Sequence, residues 1–77
     1  MIIVSQDRDK IVNFDNVEAV YIQDDEKENF IKCIATDGLD VDLGKYNTEE
    51  RAKEVLQEIV RYYAVANIGQ VYEMPED

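Results

Sequence analysis

From Thr48 to Ala66 the apolar residues recur every three or four positions: Ala52, Val55, Leu56, Ile59, Tyr63 and Ala66. That spacing gathers them on one face of a helix, while Arg51, Lys53, Glu54, Gln57, Glu58 and Arg61 take the wet side. Thr48 is a suitable N-cap, with Asn47 and Glu50 as a rival, because its hydroxyl can accept a backbone N–H that lacks a partner inside the helix. Glu49 and Glu50 complement the positive end of the helix dipole, and Arg61 lies near the negative end. Glu49 with Lys53 and Glu58 with Arg61 have the spacing of surface ion pairs. Asn67 and Gly69 tolerate the left-handed conformation that stops a helix.

Upstream the period changes to that of strands. Ile2 to Ser5, Ile11 to Phe14, Val17 to Gln23, Asn29 to Thr36 and Leu39 to Leu43 predict five strands, separated by polar punctuation. The charged run Asp24 to Glu28 reads as a solvent-facing hairpin tip. Gln70 to Met74 reads either as a short sixth strand or as a tail. The fold class expected is α+β: an antiparallel meander with one long C-terminal helix packed on one face, all of 1–77 in a single domain.

Asp37-Gly38 predicts a two-residue hairpin turn. That turn would set Thr36 opposite Leu39, Ile34 opposite Val41 and Lys32 opposite Leu43. Since paired residues share a face, Ile34, Leu39, Val41 and Leu43 would lie beneath the helix. The other face would carry Ile31, Cys33 and Ala35 beside Asp40 and Asp42, half apolar where a solvated face is normally polar. Three covers are open: the C-terminal tail, a curl of the sheet into a partial barrel, or another chain. Ile31, Cys33 and Ala35 are therefore the candidate interface.

Charge and composition narrow the function more than they name it. Eighteen acidic residues against eight basic give a net charge of -10, which argues against binding nucleic acid or an anionic membrane directly. At 45% hydrophobic the chain is too apolar for a disordered tail. A chain of 77 residues buries only about 60–65% of its unfolded surface, so association would help it. The opening residues lack a basic stretch and turn polar after four positions, unlike a signal peptide or a membrane span. One cysteine, Cys33, cannot form an internal disulfide, and a reducing cytoplasm is the expected setting.

Catalytic chemistry finds little to work with. There is no histidine, the commonest general base and metal ligand. Ser5 has no base to activate it, and mid-strand Cys33 reads as a small buried hydrophobe. Asp40 and Asp42, about 7 Å apart along one strand face, could hold a hard cation with Asp37. Their spacing is not that of a calcium loop, and a solvated acidic face is the reading taken. The glycines are scattered and cradle no phosphate. The five tyrosines lack the interleaved basic residues of a stacking platform. Tyr62 and Tyr63, adjacent on the helix, cannot both face inward, and Tyr46 and Tyr72 are placed to close over its ends. No enzyme, metal site or cofactor is expected.

The phrases Met1-Ile2-Ile3-Val4-Ser5-Gln6-Asp7, Asn13-Phe14-Asp15-Asn16, Leu43-Gly44-Lys45-Tyr46-Asn47-Thr48-Glu49-Glu50-Arg51-Ala52-Lys53-Glu54-Val55-Leu56 and Val71-Tyr72-Glu73-Met74-Pro75-Glu76 resemble a family of small proteins. Its members occur in Gram-positive bacteria and in their phages or prophages. The resemblance implies a cytoplasmic bacterial or phage origin and brings no activity or catalytic residue with it. The function expected is interaction or assembly with protein, self-association as a homodimer first. The alternative is an acidic decoy that mimics nucleic acid and occupies a DNA-binding protein.

Overall fold

The computed structural model describes residues 1–65 and 70–77. It is an α+β domain with six strands and one helix: β1 (Ile2–Val4), β2 (Ile11–Asn13), β3 (Val17–Asp25), β4 (Glu28–Ala35), β5 (Asp40–Tyr46), α1 (Glu49–Ala64) and β6 (Val71–Glu73). A single 3-10 turn, Phe14–Asn16, joins β2 to β3. The strands do not run as one continuous meander. They part into a large antiparallel sheet, ordered β3-β4-β5, and a small one, ordered β2-β1-β6. In the small sheet β6 lies parallel to β1, so residues 71–73 are a true strand rather than a tail.

The helix begins as its sequence dictates. Thr48 sits in extended conformation and its Oγ1 accepts the Arg51 N–H at 3.0 Å. Ala52, Val55 and Ile59 are buried against the large sheet and Leu56 is half-buried beside them. Lys53 meets Glu49 at 3.2 Å as its spacing predicts. Glu58, however, turns away from Arg61 to Arg51 Nη1 (3.4 Å) and to the Tyr72 hydroxyl, which donates to it at 3.1 Å. The expected helix end at Ala66 and the stop at Asn67 and Gly69 lie outside the described residues.

The hairpin between β4 and β5 overturns the expected register. Its loop has three residues: Gly38 N–H donates to Ala35 O at 2.9 Å and Ala35 N–H to Leu39 O at 3.0 Å. A two-residue turn needs positive φ at both Asp37 and Gly38, whereas the three-residue loop needs it only at Gly38, found at φ 88°. The Asp37 carboxylate then accepts the Leu39 N–H at 3.1 Å, which stiffens the turn. Cys33 therefore faces Val41, Lys32 faces Asp42 and Ile34 faces Asp40. A one-residue slip exchanges the two faces of a strand. Val41 and Leu43 stay inside, but β4 turns over.

Ile31 and Cys33, expected on the uncovered face, are fully buried under the helix, and Ala35 beside them is half-buried. Ile34 points outward, and Leu39, expected in the core, is 65% exposed at the turn. The slip also suits the charges. Lys32 Nζ lies 3.2 Å from Asp42 and 5.7 Å from the centre of the Phe30 ring on the outer face.

A bulge where Ile31 meets Gly44 bends β5 toward the small sheet. A side chain at Gly44 would be crowded: a Cβ would lie 3.1 Å from the Gln6 Cβ and 3.2 Å from the Tyr46 hydroxyl, so those side chains would have to give way. Gln6 fills that space and ties three segments together. Its N–H donates to Leu43 O (2.7 Å), its Oε1 accepts the Lys45 N–H (2.9 Å), and its Nε2 reaches the carbonyls of Lys45, Pro75 and Glu76. Ile3, Tyr72 and Met74 of the small sheet and the segment after it complete a core with Ile31, Cys33, Leu43, Tyr46, Ala52, Val55 and Ile59.

Candidate interaction surfaces

The residues singled out for chemistry are scattered or buried. Burial in the core pushes the Cys33 thiol above its ordinary pKa, which keeps it protonated and unreactive. Buried Ser5 donates to Asp7 Oδ1 at 2.7 Å and its Oγ accepts the Lys10 N–H, a brace for the loop between β1 and β2. Hydrogen bonding with Asp9 and then Ser5 holds the Asp7 carboxyl well below the usual carboxylate range. Asp40 and Asp42 lie on the outer face of β5, while Asp37 is engaged in the turn. Among the described residues no three Asp, Glu, Cys or His side chains gather as a metal would require.

Tyr46 and Tyr72 are core residues with polar tips. The Tyr46 hydroxyl donates to Pro75 O at 2.8 Å, and burial pushes its pKa up to about 12. Burial, followed by the Glu58 charge, raises Tyr72 as well. Both lock the C-terminal segment, which Arg51 also holds through Asp77 O (3.0 Å) and Arg8 through Met74 O (3.0 Å). Tyr62 and Tyr63 are each partly exposed. Tyr62 meets the Tyr72 ring edge-on at 4.8 Å, and Tyr63 meets Phe14 at 5.1 Å.

Two surfaces remain that packing among the described residues does not use. The first is the outer face of the small sheet. Strand register sets Val4 beside Ile11 and Ile2 beside Val71, and these two pairs adjoin along β1. Ile11 is 72% exposed, Val71 48% and Ile2 38%, with Val4 half-buried between them. Asn13 and Glu73 flank this apolar stripe, and no lysine or arginine enters it. The sequence reading missed it, although a signal was present. Ile2-Ile3-Val4 breaks the two-residue alternation, so a strand made of it presents apolar side chains on both faces.

The second surface is a groove between α1 and β3, with a cavity volume of about 520 Å³. Val17, Val20, Leu56, Ile59, Val60 and Tyr63 make its apolar walls, and the Phe14–Tyr63 pair lies among them. Asp15 and Glu18 stand at its rim. Among the described residues no helix is long and apolar enough to cross a membrane. Comparison with family models, curated proteins and solved structures found no match to this chain.

Proposed function

We propose that this protein is an interaction module that self-associates as a homodimer through the outer face of its small sheet. The observation that carries the reading is the uncharged stripe of Ile2, Val4, Ile11 and Val71 on a chain of net charge -10. Burying such surface is worth about 25 cal/mol per Å², and a two-fold axis sets an identical apolar stripe against it. Four side chains fall short of the roughly 800 Å² per partner of a standard interface, so the dimer is expected to be weak and concentration-dependent. Like charges repel across it, and salt strengthens association by screening them.

Light scattering across protein concentration, at low and high salt, tests this directly. Dimer growing with both is the expected result, and Ile11→Asp is expected to return the chain to monomer with its fold intact. A monomer at every concentration and salt overturns the proposal. The work assigned here is binding rather than catalysis, in a reducing cytoplasm that suits a lone buried thiol. The Gram-positive bacterial or phage origin remains part of the same reading, on the opening and closing phrases of the chain. Nucleic-acid mimicry ranks second, because Lys32, Lys45, Arg51 and Lys53 sit among the carboxylates and interrupt an acidic stripe.

A further inference from the structure

We propose that the groove between α1 and β3 receives an extended, basic segment of a partner protein, added as a fourth strand on the free edge of β3. The two edges of the large sheet differ. On β5 the loop after β1 covers the edge, since the Gln6 backbone and side chain bond Leu43 O and the Lys45 N–H. On β3 the Val17 N–H is taken by Phe14 O, but from Glu18 to Asp25 no hydrogen bond from the described residues reaches the backbone groups that point away from β4. An uncovered edge of that length is a template for another strand.

Beside that edge lie the apolar walls of the groove, where Val60 is 58% exposed and Tyr63 53%. An incoming strand would place alternate side chains against them. Its other side chains meet negative charge. The Asp15 and Glu18 carboxylates form no ion pair among the described residues, no lysine or arginine lines the groove, and Asp24 and Asp25 extend the acidic edge along β3. Charge of one sign without an internal partner selects a partner of the other sign. A second copy suits this edge poorly. Antiparallel β3–β3 pairing would bring Glu18 near Asp24 or Asp25 between two chains of net charge -10. The groove is separate from the small-sheet stripe, so the two proposals stand or fall independently.

The probe is a fluorescein-labelled nine-residue peptide of alternating valine and lysine, titrated by anisotropy into the full chain. One-to-one saturable binding is expected, with amide shift changes confined to residues 14–25 and 56–63. A peptide with serine in place of valine keeps the charge and is expected to bind at least about tenfold more weakly, as is the original peptide to an Asp15→Lys, Glu18→Lys double variant. Circular dichroism of the double variant confirms that it is folded. Equal binding of the serine peptide, undiminished binding to the double variant, or shifts spread over Asp40, Asp42 and Glu73 would overturn the proposal. So would loss of self-association in Val60→Asp, which would assign the groove to a second copy.

Discussion

The large and small sheets solve the same problem to different degrees. Each turns one apolar face to the common core: Ile31, Cys33 and Leu43 from the large sheet, Ile3 and Tyr72 from the small one. Their outer faces differ. The large sheet's outer face mixes Lys32, Asp40 and Asp42 with half-buried Tyr21, Phe30 and Ile34, and Lys32 bridges Phe30 and Asp42. The small sheet shows Ile2, Val4, Ile11 and Val71. A sheet whose outer face mixes charges with half-buried apolar side chains can meet water once one helix covers its inner face. A sheet apolar on both faces, with core on one side only, retains surface that a second molecule can bury. The difference leaves the small sheet with the exposed apolar face that the proposed self-association would bury.

The largest test of that division substitutes the two inner and outer isoleucines. Ile31→Ala empties a fully buried position and should cost about 2–5 kcal/mol. Ile11→Ala, on the exposed stripe, should stay within about 0.5 kcal/mol. Urea denaturation of dilute, monomeric protein measures both, and equal midpoints would erase the distinction between the sheets.

Next in size is the turn that sets which face of β4 is buried. Gly38→Val puts a β-branched residue at φ 88° and should cost about 1–3 kcal/mol. Nothing lies within 4 Å of a Cβ there, so the loss would come from backbone strain rather than a clash. An unchanged thermal midpoint would mean that the loop, and the register resting on it, is not the one described.

Alkaline titration reaches the seam where the small sheet and C-terminal segment meet the helix. The folded pKa of Tyr46 is raised from 10.0 to about 12, and that of Tyr72 is raised too. The unfolded chain thus releases these protons at lower pH than the folded one. Their contribution is full below pH 10 and is lost as pH rises toward 12 and beyond. Stability measured from pH 9 to 12 should fall over that window, and less steeply in Tyr46→Phe. A profile identical in wild type and variant would contradict the burial assigned to Tyr46.

The smallest effect belongs to the outer face of the large sheet. Replacing Asp42 with Asn removes a partly exposed pair with Lys32 and should change stability by about 0.2–1 kcal/mol, diminishing with salt. A larger loss would mean that this face, too, is built for more than solvation.

Local rules account for what was legible in the sequence. A 3.6-residue period, a Thr48 cap and first-turn acids define α1 without help from the rest of the chain, and two-residue alternation with turn residues marks the strands. The α+β class follows from those elements. What packs against what depended on distant partners. The loop at Thr36, Asp37 and Gly38 is three residues because left-handed backbone is inexpensive only for Gly38. That single residue of offset carried Ile31 and Cys33 from the expected interface into the core. The pairing of β6 with β1 spans nearly the whole chain, and the cradle of Gly44 exists only once Gln6 arrives there. The stripe on the small sheet likewise combines residues 2–11 with Val71. Sequence periodicity reports which residues seek burial. It was the tertiary structure that allotted the available cover, because one helix shields one sheet face and leaves the rest to water or to another molecule.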